Sequence, residues 1–229
     1  MIKERPCENI MTLSGALRYF YSHPSPWVLL IISSGFWCLR LATGLPVESI
    51  EFFIGLGVIA YWPFQEWWMH RWLLHMGSIK IFGRTFEPDF ARTHRLHHEK
   101  PDDMLWVFLP IRHILGSLVF FTTIGLILTQ DLPKTCVFMG SASLSTLLYE
   151  WTHYLTHTNY KPKSNYYRKI WQLHRWHHYK HEGHWFSFTI PYIDGWFGTG
   201  PEPKSVKRSP TARTLGGDPF QKSEPSQSS

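Results

Sequence analysis

The chain has 229 residues, room for one sizeable domain, with a net charge of +6 and only 17% charged residues against about 25% in an ordinary soluble protein. Aromatic residues also reach 17%, with 12 Trp, a balance that leans away from a soluble enzyme and toward a membrane protein. Three widely spaced cysteines, Cys7, Cys38 and Cys136, indicate neither a disulfide framework nor a cysteine-based zinc motif, and fit a reducing compartment.

Taken in chain order, residues 1–26 form an N-terminal segment in which no cleavable signal peptide is legible, because the first long apolar run starts only near Trp27 and no small-residue cleavage pattern follows it. Four apolar stretches stand out, at about 27–45, 50–69, 113–130 and 132–151. Each approaches the roughly 20 apolar residues of a membrane span, with Arg40, Glu51, Glu66 and Lys134 near their ends. The competing architecture is a soluble bundle of unusually apolar helices. Charge placement argues for spans. With short far-side turns at 42–49 and 129–132, every Lys and Arg except Arg40, Arg112 and Lys134 falls on the near side, which the positive-inside rule makes cytosolic. Trp62, Trp67, Trp68, Trp72, Trp151, Trp171 and Trp176 crowd the same boundary, as interfacial Trp does. The expected fold is therefore all-α and integral to the membrane, with about four transmembrane helices and a cytosolic helical cap. Residues 27–200 make the membrane domain, and 201–229, rich in Pro, Ser, Lys and Thr, make a flexible tail without a part in the chemistry.

Ten of the 14 histidines fall in four boxes on that cytosolic side: HRWLLH (His70, His75), HRLHH (His94, His97, His98), HYLTH (His153, His157) and HRWHH (His174, His177, His178). Histidines at i, i+3 and i+4 share a helix face with Cβ atoms about 5–6 Å apart, which is chelate spacing. The first box is less regular, since five residues at about 100° each leave two rings roughly 140° apart on a straight helix. Either the helix distorts before Gly77 or the rings approach from different directions. Imidazole suits iron, zinc, copper and nickel, and ten ligands exceed what one ion accepts, so two metal ions are implied. Metal-bound imidazoles usually donate their other ring nitrogen to a carboxylate or carbonyl. Glu66 and Glu150, four and three residues ahead of His70 and His153, are the acids placed for that supporting role. His23 and His113 stand outside the clusters; His181 follows His177 by four and could join them as a ligand, but the HEGH stretch also carries the Gly183 of a turn, so His181 and His184 stay open between ligand and structural roles.

These boxes resemble the HxxxxH, HxxHH, HxxxH and HxxHH pattern of the fatty acid hydroxylase and sterol desaturase superfamily, and most closely that of the fatty acid 2-hydroxylases. The likeness runs from about residue 66 to 198 and includes EWWMHRWLLH, EWTHYLTH and GHWFSFTIPYIDGWFGT. It implies a cytosolic di-iron site, with zinc able to occupy it in isolated protein, held by His70, His75, His94, His97, His98, His153, His157, His174, His177 and His178. It implies oxygen-dependent hydroxylation of a lipid acyl chain, in the endoplasmic reticulum of a eukaryote or the inner membrane of a bacterium. Eukaryotic 2-hydroxylases commonly carry a fused haem electron-carrier domain, which 26 residues cannot contain, so a separate electron-donor protein is expected. Partners are then a lipid substrate, molecular oxygen, that donor and the membrane, with no nucleic acid. Trp106, Phe108, Phe186 and Phe188, beside the boxes, are candidate substrate contacts. Two other functions compete: hydroxylation or desaturation of a sterol, carotenoid or other isoprenoid, because the boxes define the metals but not the pocket, and non-enzymatic metal binding in a membrane.

Overall fold

The computed structural model describes residues 10–216. Helix α1, Leu13–Phe20, lies ahead of four long helices: α2, Pro24–Ala42; α3, Ser49–Trp68; α6, Ile111–Thr129; and α7, Leu132–Thr156. They match the four apolar stretches to within a few residues, except that α7 runs on past the expected end and carries His153, with His157 as its C-cap. Shorter helices α4 (Asp89–Glu99), α5 (Met104–Val107), α8 (Asn165–Tyr179) and α9 (Ile193–Trp196) lie between and beyond them.

The ends of these helices are written locally. Asp131 and Ser164 cap α7 and α8 by accepting from the Lys134 and Tyr167 backbone N–H groups, and Glu48 with Glu51 closes a capping box at the start of α3, satisfying donors that a helix start leaves unpaired. The charges near the far ends of the apolar stretches are paired. Arg40 forms a buried bidentate ion pair with Glu51 and also donates to the carbonyls of Leu45 and Pro46, while Lys134 reaches Asp131 at 2.7 Å and Glu48 at 3.1 Å.

Two helical stretches, Pro24–Ala42 and Met104–Thr129, are long and apolar enough to cross a membrane. Along α3 and α6 large apolar side chains are exposed, among them Phe52, Phe53, Ile59, Val119, Phe120 and Ile127, the face expected of helices that meet lipid rather than water. Helix α7 lies between α2, α3 and α6 and buries small residues, including Gly140, Ser141, Ser143 and Ser145, which let backbones approach closely. At Gly140 a Cβ atom would sit 2.8 Å from the Trp37 indole nitrogen, and Ser33 donates to the Gly140 carbonyl at 2.9 Å.

Two expectations need correction. The fold is predominantly rather than wholly helical, because β1 (Ile79–Ile81) and β2 (Arg84–Phe86) pair antiparallel, with Lys80 opposite Thr85. Their two-residue turn, Phe82-Gly83, has positive φ at both positions, the geometry that matches strand twist. Nor is the segment from 201 a free tail throughout. Residues 201–216 return to the helices that carry the histidine boxes, and Ala212 is buried among them. Single-sequence composition could not show this, since the ties run mainly through backbone carbonyls. The rest of the expected tail, 217–229, and residues 1–9 of the N-terminal segment lie outside the described residues.

Candidate metal centre

All ten box histidines converge, and they divide into two groups of five. His70, His75, His94, His98 and His177 form the first; His97, His153, His157, His174 and His178 form the second; in each, the ligand nitrogens all lie within 4.8 Å of one another. Each HxxHH box is split. Helix α4 gives its i,i+4 pair, His94 and His98, to the first group and His97 to the second; α8 gives His174 and His178 to the second and His177 to the first. At about 100° per residue, the HxxHH spacing sets one ring off to the side of an i,i+4 pair, so each helix serves both centres.

The remaining pairs come from the ends of α3 and α7. On α7 the ordinary α-helical spacing brings His153 and His157 to ring centroids 4.8 Å apart. On α3 the helix widens at Met69–Leu74 into a π-helical turn that ends at His75. A π turn bonds i to i+5, so residues five apart come onto one face, and the His70 and His75 rings stand 5.0 Å apart. The irregular first box is thus resolved as a distortion of the helix.

Nine of the ten rings are buried, and His75 nearly so. Burial, together with repulsion from neighbouring imidazoles, holds His94, His97, His174, His177 and His178 well below the usual histidine pKa; burial pushes His98 down to about 3. These rings are neutral at physiological pH, the form that binds metal.

The outer nitrogens define the tautomers. His70 Nδ1 donates to the Phe186 carbonyl at 2.7 Å, His177 Nδ1 to the His184 carbonyl at 2.7 Å and His98 Nδ1 to the Ala212 carbonyl at 2.9 Å. In the second group His153 bonds the Val107 carbonyl and His157 the Pro101 carbonyl. The inner Nε2 atoms then face each other in four pairs: His70 with His94 and His98 with His177 at 3.2 Å, His97 with His153 at 3.1 Å, His157 with His174 at 2.7 Å. His98 and His177 both commit their proton to a carbonyl, so two lone pairs oppose one another with no hydrogen between them. A cation held by both removes that conflict. Nitrogens sharing one ion at about 2.1 Å stand roughly 3 Å or a little more apart, as three of the four pairs do. His75 Nε2 and both nitrogens of His178 are buried without a hydrogen-bond partner, as unfilled ligand atoms would be. The donor set fits two metal ions.

Glu66 and Glu150 do not bond the histidines, as the sequence reading expected, but hold the loops that do. Glu66 accepts from the backbone N–H groups of Phe188 and Thr189 and from the Thr189 hydroxyl; two residues earlier in that loop, the Phe186 carbonyl holds His70. Glu150 accepts from the Leu109 N–H at 2.8 Å and the Ser25 hydroxyl at 2.7 Å; two residues earlier, the Val107 carbonyl holds His153. Asp194 completes the clamp on the first loop by accepting from the Phe186 and Ser187 N–H groups, both at 2.9 Å. Four consecutive N–H groups, 186 to 189, thus end on two buried carboxylates.

Phe188 lies against both groups, with ring centroids 4.9 Å from His70, 5.0 Å from His153 and 4.6 Å from His174, and Phe186 lies 5.3 Å from His75 and His177. Phe108 instead belongs to the core beside α1, packed on Phe20, Tyr154 and His23, and Trp106 is half-buried on α5. His181 and His184 stay outside both groups and face each other; His184 serves through its carbonyl. His113 pairs with Asp89. Sequence reasoning missed Asp194 and Ala212, since an acid in a loop and the carbonyl of an alanine carry no signal of their own.

Fold and site define a class: a predominantly helical protein with exposed apolar helix faces, two helical stretches long and apolar enough to cross a membrane, and a paired, all-histidine cluster at one end. Comparison narrows it, because residues 55–199 match the fatty acid hydroxylase family model. The chain is 25% identical to the dihydroceramide fatty acyl 2-hydroxylase FAH1 of Arabidopsis thaliana over 84% of this chain and 78% of that protein. It is 30% identical to the ceramide very long chain fatty acid hydroxylase scs7 of Schizosaccharomyces pombe over 80% of this chain and 51% of that one, and 30% identical to the fatty acid 2-hydroxylase of Mus musculus over 66% and 40%. It therefore spans about half or less of those last two relatives. The solved scs7p structure, in which only the hydroxylase domain is visible, shares the fold, with a TM-score of 0.65 at 21% identity over 81% of this chain and 68% of that one. The chain belongs to the fatty acid hydroxylase family.

Proposed function

We propose that this protein is an integral-membrane, oxygen-dependent hydroxylase of a lipid acyl chain, acting at the carbon next to the acyl carbonyl, with two iron ions at the two histidine groups. The observation that carries it is the convergence of ten imidazoles into two groups of five, with opposed Nε2 lone pairs at His98 and His177. Relatives named as fatty acid and fatty acyl 2-hydroxylases support the substrate class and position.

Helices α2, α3, α6 and α7 span the bilayer and the histidine-bearing end faces the cytosol, a reading supported by the near-side placement of Lys and Arg. The membrane is endoplasmic reticulum in a eukaryote and the inner membrane in a bacterium. Replacing a C–H bond by C–OH is a two-electron oxidation that no side-chain acid or base can perform, and iron with dioxygen would supply that oxidising power when bound.

The chain's own residues do the rest. Ten neutral imidazoles hold the two ions, and carbonyls of residues 101, 107, 184, 186 and 212 fix the rings' tautomers and aim. Phe186 and Phe188 cover the apolar side of the centre and exclude water from the reacting carbon. Half-buried Tyr149, 5.3 Å from Phe188 at the end of α7, marks where an acyl chain arriving along the α3–α7 face meets the site.

Lipid mass spectrometry of cells with and without the expressed gene tests this. The expected gain is a 2-hydroxy-acyl lipid; a gain of modified isoprenoid alone, or purified protein that binds metal but consumes no oxygen with reductant and lipid, would replace this reading with one of its competitors.

A further inference from the structure

We infer that residues 209–215 form a strap that positions His98, and so controls occupancy of the first histidine group alone; this rests on the reading of that group as a metal site. The strap bridges the C-terminal ends of α4 and α8, the two helices that carry the HxxHH boxes. At the α4 end, the Ala212 carbonyl takes the Nδ1 proton of His98 at 2.9 Å, with both residues buried. Arg213 donates to the His98 and Glu99 carbonyls at 2.9 and 2.7 Å, two acceptors that a helix end leaves unpaired, and its guanidinium lies 5.2 Å from the Tyr179 ring on α8. Arg95 adds a bond to the Leu215 carbonyl at 3.4 Å. At the α8 end, Glu182 accepts from the Ser209 hydroxyl at 3.0 Å and from the Thr211 hydroxyl, and Ser209 N–H donates to the Lys180 carbonyl at 2.8 Å.

The second group is held differently. The outer bonds of His153 and His157 end on Val107 and Pro101, in the segment between α4 and α6, and the strap makes none of them. Arg213 and Glu182 are thus positioning residues at opposite anchors of the strap, acting on the first centre through the Ala212 carbonyl. Loss of such an outer contact typically lowers metal affinity about 10–100-fold.

The test uses full-length protein in detergent, loaded with Zn²⁺ and titrated against a competing chelator. The parent should hold two tight equivalents. Arg213→Ala and Glu182→Ala should each keep one and weaken the other about 10–100-fold, with Arg213→Lys recovering part of the loss. Adding His177→Ala to either variant should spare the remaining tight equivalent, whereas adding His157→Ala should remove it. The inference is overturned if both variants keep two tight equivalents, if both equivalents weaken in parallel as in a loosened fold, or if the lost equivalent depends on His157. A parent that holds fewer than two equivalents would instead overturn the two-metal reading beneath it.

Discussion

The two histidine groups are built from matching parts yet held by different kinds of structure. Each takes one pair from the end of a long helix, one i,i+4 pair from an HxxHH box and a single ring from the other box. The second group stands on an unbroken α-helix and a segment, 101–107, close to it in the fold. The first needs a π-helical turn, the clamped loop 184–189 and the strap that includes Ala212, all brought together over more than a hundred residues of chain. Equivalent ligands can therefore differ in how much tertiary structure must be in place before they become a site.

The largest effects should come from the ligands themselves. His153→Ala, His157→Ala and His177→Ala should each abolish turnover and lower bound metal by about one ion of two, the first two from the second group and the third from the first, while His23→Ala does neither; metal analysis alongside product assay checks this. Full activity in any of the three would break the ligand assignment.

Next in size is the π turn. Inserting one alanine after Leu73 sets the two rings of the first box six residues apart, off a common face in either an α-helical or a π-helical turn, and should cost the first ion while leaving the second, read as a fall from two equivalents to one. Retention of both ions would mean the wide turn is dispensable.

The carboxylates should give a smaller, side-specific loss. Glu66→Gln should weaken the first site and Glu150→Gln the second, each about 10-fold or more, because each holds a loop rather than a metal. Equal loss at both sites from either change would collapse the distinction between the two supports.

The smallest effect belongs to Asp89, which opens α4 and bonds Arg112, Arg92 and His113. Those partners hold its carboxyl well below the usual range, so its contribution is fully present above the ordinary carboxylate pKa and is lost as pH falls toward the folded value. Because the pairs are exposed, Asp89→Asn should lower the unfolding midpoint by only about 1–3 °C near neutral pH. That gap should shrink as the pH is taken below about 4.

Much of this was legible in the sequence, for reasons particular to each part. The four long helices follow from apolar runs bounded by caps such as Asp131 and Glu48, signals that lie within a few residues of the structure they specify. Convergence of the ten histidines was legible because spacing fixes which rings share a face, and because an even number of helices between the second and third boxes returns the chain to one side. The partners of Glu66 and Glu150 were not legible. Each acid sits on the expected helix face, but the donors it accepts from are backbone N–H groups of residues 188, 189 and 109, which any sequence possesses.

By itself, then, the sequence determined the helices, the donor atoms and their number, since these depend on local period and on side-chain chemistry. Tertiary structure alone decided that each HxxHH box is divided between two centres, that a π turn aligns His70 with His75, and that carbonyls from two separate segments, 184–186 and 212, aim the first group's rings. Those choices rest on contacts between chain segments far apart, made largely by main-chain atoms that are the same whatever the residue.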